Sequence, residues 1–154
     1  MVQMAENTQR TMDGVVLVGN PPFYPTGYGN QLRMLGRHLS NAYRVLHICD
    51  YGYTGPAFEL DSVEVHPVGQ DATTLTSHHL NDTIANWTNK HSIERYVILA
   101  LGNTWKWGQI FDQHPSIVVF PVDCGVLSSL EVASLQSSTA VSYTHLTLPT
   151  NGTV

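Results

Sequence analysis

The residues best suited to chemistry lie in a short glycine loop, Pro25-Thr26-Gly27-Tyr28-Gly29, set between an apolar run and a leucine-spaced segment. Glycines at such a place let backbone N–H groups approach a phosphate, and a helix N-terminus adds partial positive charge. The same residues would equally make a loop that only turns the chain. A dinucleotide fingerprint needs GxGxxG directly after the strand; here Leu32 holds the third glycine position, and roughly eight residues separate Gly19 from Gly27. Asp50 closes the next apolar run, where either a ribose-binding acid or an ordinary loop acid would stand. His78-His79 with Asp82 have helix-face spacing for a metal, but three matched ligands are not evident. A solvated helix start explains them, and no metal is expected. Trp105 and Trp107 could stack on a sugar ring, or serve as a core anchor and a rim residue. Asp123 could bind a substrate hydroxyl, act in a cleft, or be a plain loop acid. Asn81-Asp82-Thr83 and Asn86-Trp87-Thr88 are formal glycosylation sequons, without meaning in the absence of a secretory signal.

The elements that must position these residues can be read from periodicity. Residues 1–13 are polar and read as a leader. Gly14-Val15-Val16-Leu17-Val18-Gly19 is a continuous, largely β-branched run, the pattern of a strand covered on both faces. Three prolines and two glycines force a loop over Asn20–Gly29. Leu32, Leu35 and Leu39 then predict a helix from Tyr28 to Asn41. Strands are predicted over Arg44–Cys49, Val63–Val68 (alternating, hence more exposed), Tyr96–Leu101 and Ile117–Phe120. Asp50–Leu60 reads as a loop, Leu75–His91 as a helix through Leu80, Ile84 and Trp87, and Lys106–Gln113 as a short helix. Buried strands alternating with helices predict an α/β fold with a doubly wound, mainly parallel, Rossmann-like sheet. Ligands bind such sheets beyond the carboxyl ends of the strands, which brings Asn20–Gly29, Asp50–Pro56, Gly102–Trp107 and Pro121–Gly125 to one working edge.

Composition narrows the class. The formal charge is −5, and scattered Lys and Arg leave no nucleic-acid footprint. Cys49 and Cys124 sit in or beside apolar runs and read as reduced thiols, not as a disulfide framework. The leader lacks a signal peptide's apolar stretch, and no run approaches the roughly 20 apolar residues of a membrane helix. A cytoplasmic setting is expected.

The segment Asn20-Pro21-Pro22-Phe23-Tyr24-Pro25-Thr26-Gly27-Tyr28-Gly29-Asn30-Gln31, with Leu32, Leu35 and Leu39 behind it, resembles the opening of GT-B-fold glycosyltransferases of the retaining group that includes glycogen-synthase-like and sucrose-synthase-like enzymes. Leu101-Gly102-Asn103-Thr104-Trp105 and Phe120-Pro121-Val122-Asp123 are similar to later segments of the same half. The resemblance implies that residues 14–139 are the acceptor-side half of a two-domain enzyme. Thr26, Gly27, Tyr28 and Gly29 would lie near the donor diphosphate. Asn103, Trp105 and Asp123 would line the acceptor cleft, with Asp123 the one catalytic candidate. Asn103 departs from the pattern, since related sequences often carry an acid there. The implied donor is a nucleotide sugar with no further cofactor, and the implied partner is a C-terminal half holding most of the donor site. Two other readings stay open: a non-catalytic α/β nucleotide-binding module, and half of a nicotinamide-dependent oxidoreductase.

The end of the chain carries a second resemblance. Val141-Ser142-Tyr143-Thr144-His145-Leu146-Thr147-Leu148-Pro149-Thr150 back-translates into one reading frame of a transposase-based sequencing adapter, and Asn151-Gly152-Thr153-Val154 fits the codons that follow. The resemblance implies that residues 140–154 are an appended tail on a shortened domain, inactive by itself. Such a tail is expected to be disordered or loosely attached. It carries no Asp, Glu, Lys or Arg, so the charge is unaffected.

Overall fold

The computed structural model describes residues 11–68, 75–103, 107, 110–122 and 129–145. The apolar run at the start becomes β1 (Gly14–Gly19), buried along its whole length. It lies between β2 (Arg44–Cys49) and β5 (Tyr96–Leu101), parallel to both. A strand buried on both faces has no use for polar alternation, which is why the run is continuous. Beyond β2 come β4 (Val63–His66), parallel, and β3 (Phe58–Leu60), antiparallel to β4. Beyond β5 come β6 (Ser116–Val122) and β7 (Ala140–His145), both parallel. The sheet order is β3-β4-β2-β1-β5-β6-β7. The fold is α/β with a mainly parallel sheet, as expected.

Helices cover opposite faces. α1 (Gly27–Leu39) packs Leu32 against Val15, Leu17, Val45, Val63 and Val65. α2 (Ser77–His91) packs Leu80, Ile84 and Trp87 against Val16, Val18, Leu46 and Ile48. Each such side chain contributes about 1.5–3 kcal/mol on leaving water. Thr26 and Thr76 cap the two helices by accepting from Gly29 N and His79 N. Ser92, at φ 53°, ends α2 in the left-handed region, and Lys90 and His91 sit favourably in its last turn. A third helix, α3 (Ser129–Ser137), lies between β6 and β7 in the chain.

The structure departs from the predicted elements in five places. Phe58–Leu60, read as loop, pairs with β4 through a two-residue turn at Asp61 and Ser62, both at positive φ (53° and 65°). A type I′ turn needs that geometry at both central residues. β4 is therefore an interior strand of the sheet, while Glu64 and His66 remain partly exposed in the alternation that the sequence predicts. In place of the helix over Lys106–Gln113, the described part is a set of turns, closed by Ile110 N to Trp107 O (3.2 Å) and His114 N to Phe111 O (2.9 Å). α3 has no counterpart among the predicted elements. Asp13, assigned to the leader, is tied to the head of β5: its carboxylate accepts from Glu94 N and Arg95 N, each at 3.2 Å.

The fifth departure concerns the tail. Residues 140–145 are not loose but add a strand beside β6, in register from Ile117↔Ala140 to Val122↔His145. Parallel pairing is made by main-chain groups and needs no evolved side-chain pocket. Val, Tyr and Thr also favour extended backbone. No helix among the described residues is long and apolar enough to cross a membrane.

Candidate functional site

Strand register builds one edge. Gly19 is level with Cys49 on one side and Leu101 on the other, so Asn20, Asp50 and Gly102 leave the sheet side by side. The chain from Asn20 to Thr26 folds over this edge and delivers Gly27 as the first residue of α1. Pro21 and Pro22 are buried, and Tyr24 N to Pro21 O (3.1 Å) and Thr26 N to Tyr24 O (2.8 Å) make two tight turns.

Side chains hold these turns in place. Asn20 Nδ2 donates to Thr26 Oγ1 (3.1 Å), and that hydroxyl accepts the Gly29 N–H (3.0 Å). Below, His47 Nε2 stands 3.0 Å from the Asn20 carbonyl. His47 is buried in β2, and burial pushes its pKa down to about 4, outweighing the Asn20 and Gly19 backbone carbonyls that raise it by accepting from the ring. The ring is neutral near pH 7, and bonding a carbonyl requires that Nε2 carry its proton. Tyr24 OH donates to Gly52 O (2.7 Å), pinning the loop to the segment after β2. Phe23 packs on Tyr24, Tyr53 and Phe58 with ring centres 5.1, 5.1 and 5.7 Å away.

The two loop glycines have different roles. A Cβ on Gly29 would lie 2.7 Å from Pro21 O and 2.9 Å from both Tyr24 O and Thr26 Oγ1. Gly29 is therefore required by the fold. A Cβ on Gly27 would meet nothing within 4 Å, and Gly27 is exposed without a positive φ. Packing and backbone geometry give no reason for glycine there.

No protein-family model matches the chain, and no curated protein matches it. Chemistry must then be argued from the positions of the candidates. Thr26, Gly27, Tyr28 and Gly29 form the cap and first turn of α1. Asn103 follows β5 at the same edge, half-buried, and Asp50 is buried at the end of β2. Burial, and then the Asp50 charge, push the Cys49 thiol up to about 12, so Cys49 is an inert free thiol. Trp105, Asp123 and Cys124 lie outside the described residues. Trp107 is a core anchor: it is 2% exposed and packs on Phe111 at 5.6 Å.

His78 and Asp82 form an exposed i,i+4 pair at 3.2 Å, while His79 Nε2 bonds Pro67 O. Among the described residues no group of three His, Cys, Asp or Glu is placed to hold a metal. A separate polar cluster surrounds Glu64 on β4, which bonds His66 Nε2 (2.8 Å), His91 Nε2 (3.0 Å) and Lys90 Nζ (3.3 Å). Burial alone would raise the Glu64 carboxyl. The three donors and the Lys90 charge outweigh it and hold the pKa down to about 2.

Sequence reasoning missed the support of the loop. His47 is the lone ring nitrogen donor in an otherwise apolar buried strand core, and buried polar groups demand partners. That is the signal the sequence offers.

Proposed function

We propose that this chain is the acceptor-side half of a GT-B-type glycosyltransferase, a Rossmann-like, doubly wound domain whose Thr26–Gly29 turn receives the diphosphate of a nucleotide-sugar donor. The observation that carries the reading is Gly27. It opens a 13-residue helix at the carboxyl edge of the sheet, exposed and unconstrained by neighbours. A first turn with room above it favours an anion through N–H groups and the helix dipole. In sugar transfer those same groups would oppose the negative charge that develops as the diphosphate leaves. Asn103 stands on the same edge, where a second substrate would meet the donor. Transfer requires both reactants to be gripped in a closed cleft, so on this reading the chain binds a diphosphate but does not transfer sugar until a second half closes over it.

Calorimetric titration of the chain with UDP, GDP and NAD tests the reading. A nucleoside diphosphate should bind and NAD should not. Gly27→Val should weaken diphosphate binding by about tenfold, equivalent to about 1.4 kcal/mol, with thermal unfolding unchanged. Gly29→Val is unsuitable as a probe, because its side chain would collide with the loop backbone. Tight NAD binding, or diphosphate binding indifferent to Gly27→Val, would overturn the proposal.

A further inference from the structure

We propose that His47 is a positioning residue: its buried ring fixes the Asn20 carbonyl and, through the Asn20 side chain and the Thr26 hydroxyl, sets the first turn of α1. The geometry is an unbroken series of contacts, His47 Nε2 to Asn20 O at 3.0 Å, Asn20 Nδ2 to Thr26 Oγ1 at 3.1 Å, and Gly29 N to Thr26 Oγ1 at 3.0 Å. The two side chains that start it are 1% and 6% exposed. A polar ring in that place is costly unless bonded, and its surroundings are mostly apolar: Pro22, Leu32, Gly36, Leu60, Val63 and Val65 border the same small void, with Arg33, which donates to Asp61, the charged residue among them. A leucine would satisfy the packing. What leucine would lose is the bond to the loop, which belongs to no strand ladder and no helix. The site of Gly29 shows how little slack remains, since a single added carbon would strike two loop carbonyls. Rigid support of this kind is what a binding turn needs to keep its N–H groups aimed.

That the positioned turn serves a diphosphate rests on the function proposed above; the positioning itself does not. The experiment therefore reads both. Amide exchange of Gly29 would be followed by NMR on the whole chain, and UDP affinity by calorimetry, for the wild type, His47→Leu, His47→Gln, Asn20→Ala, Thr26→Ala and the double variant His47→Leu/Thr26→Ala. His47→Leu should speed Gly29 exchange and weaken UDP, each by about tenfold, the scale of one buried hydrogen bond. His47→Gln, which keeps a donor on a shorter reach, should recover part of both. The double variant should be no worse than the worse single one, because both act through one hydroxyl. If His47→Leu does not fold, Asn20→Ala breaks the next contact with His47 intact and should show the same faster exchange. Unchanged Gly29 exchange in His47→Leu or in Asn20→Ala, or additive effects in the double variant, would overturn the positioning role. Failure of the wild type to bind UDP would instead remove the proposed function, leaving the exchange data to judge His47.

Discussion

Two of the histidine-bearing polar clusters among the described residues work under opposite physical conditions. His47 is sealed inside the sheet, kept neutral by burial, and spends its one proton on a loop carbonyl. His66 and His91 share Glu64 with Lys90 at the surface, where water reaches every member: side-chain exposure is 23%, 15%, 21% and 63%. Coulomb attraction is weak where water screens it, and a hydrogen bond is costly to lose where water cannot replace it. The smaller cluster should therefore matter more. It has one neutral bond at its root, but that bond is dry and controls a loop.

Acid titration separates the two most clearly. The folded His47 pKa of about 4 lies below its unfolded value of 6.5. Below pH 6.5 the unfolded chain takes up a proton that the folded chain refuses, so stability falls as pH drops from 6.5 and levels off near 4. The full loss is on the order of 3 kcal/mol, because each tenfold change in proton affinity is worth about 1.4 kcal/mol. Denaturant midpoints measured between pH 7 and pH 4 should show the decline. His47→Leu should remove most of that slope, leaving the part due to His114, whose pKa burial also lowers, and a slope unchanged by the substitution would assign it to another group. At pH 7 the same substitution should cost about 2 kcal/mol, from the Asn20 carbonyl left without its donor in a buried place.

How much of this is legible in the sequence depends on whether a feature is local. The strands Gly14–Gly19 and Tyr96–Leu101 are continuous apolar runs, Arg44–Cys49 is one apart from Arg44 and His47, and all three stand as parallel interior strands. Leu32 and Leu80, Ile84 and Trp87 mark the buried stripes of α1 and α2. β3 escapes because it is three residues long and its turn uses Asp61-Ser62 in place of a glycine pair, although Phe58 and Leu60 alternate in step with Val63 and Val65. α3 carries no apolar stripe in Ser-Leu-Glu-Val-Ala-Ser-Leu-Gln-Ser, so periodicity has nothing to detect. β7 is held by main-chain pairing, which side-chain pattern does not encode. At the candidate site the sequence marks Thr26, Gly27 and Gly29 together. Only coordinates separate a glycine that the fold requires from one that it does not, because the difference is the distance to Pro21 and Tyr24.

Thr26→Ala probes the join between the buried cluster and α1. The hydroxyl receives two hydrogen bonds, from Gly29 N and Asn20 Nδ2. Loss of such a helix cap costs about 1 kcal/mol. The midpoint of urea unfolding should fall accordingly with an unchanged slope, and α1 should fray from its first turn. A cost well above that of His47→Leu would mean that the cap supports His47, reversing the direction of dependence argued above.

Glu64→Gln should have the smallest effect, and it tests the comparison from its other side. Three donors surround this carboxylate, and a count of contacts would rank it above His47, which has one short bond. Screening argues the opposite. Lys90 is largely exposed, and holding a long side chain in one rotamer offsets most of what its charge contributes. The amide of glutamine keeps the shape and one acceptor oxygen, so His91 or His66 retains a partner. A shift from 4.5 to about 2 would carry roughly 3 kcal/mol undiscounted, but solvent screening and the acceptor that glutamine keeps should hold the cost at pH 7 below about 1 kcal/mol. It should shrink further in 1 M salt, where the Debye length is about 3 Å. The pH window is distinct as well: with a folded pKa near 2 against 4.5 unfolded, what Glu64 contributes is present above pH 4.5 and is lost as pH falls toward 2. Glu64→Gln should therefore leave the decline between pH 6.5 and 4 in place, apart from a small step at its acid end, whereas His47→Leu should remove most of it and leave only the part due to His114. If instead Glu64→Gln cost more than His47→Leu and resisted salt, the surface cluster would be the stronger of the two, and exposure would be a poor guide to the worth of a polar contact in this fold.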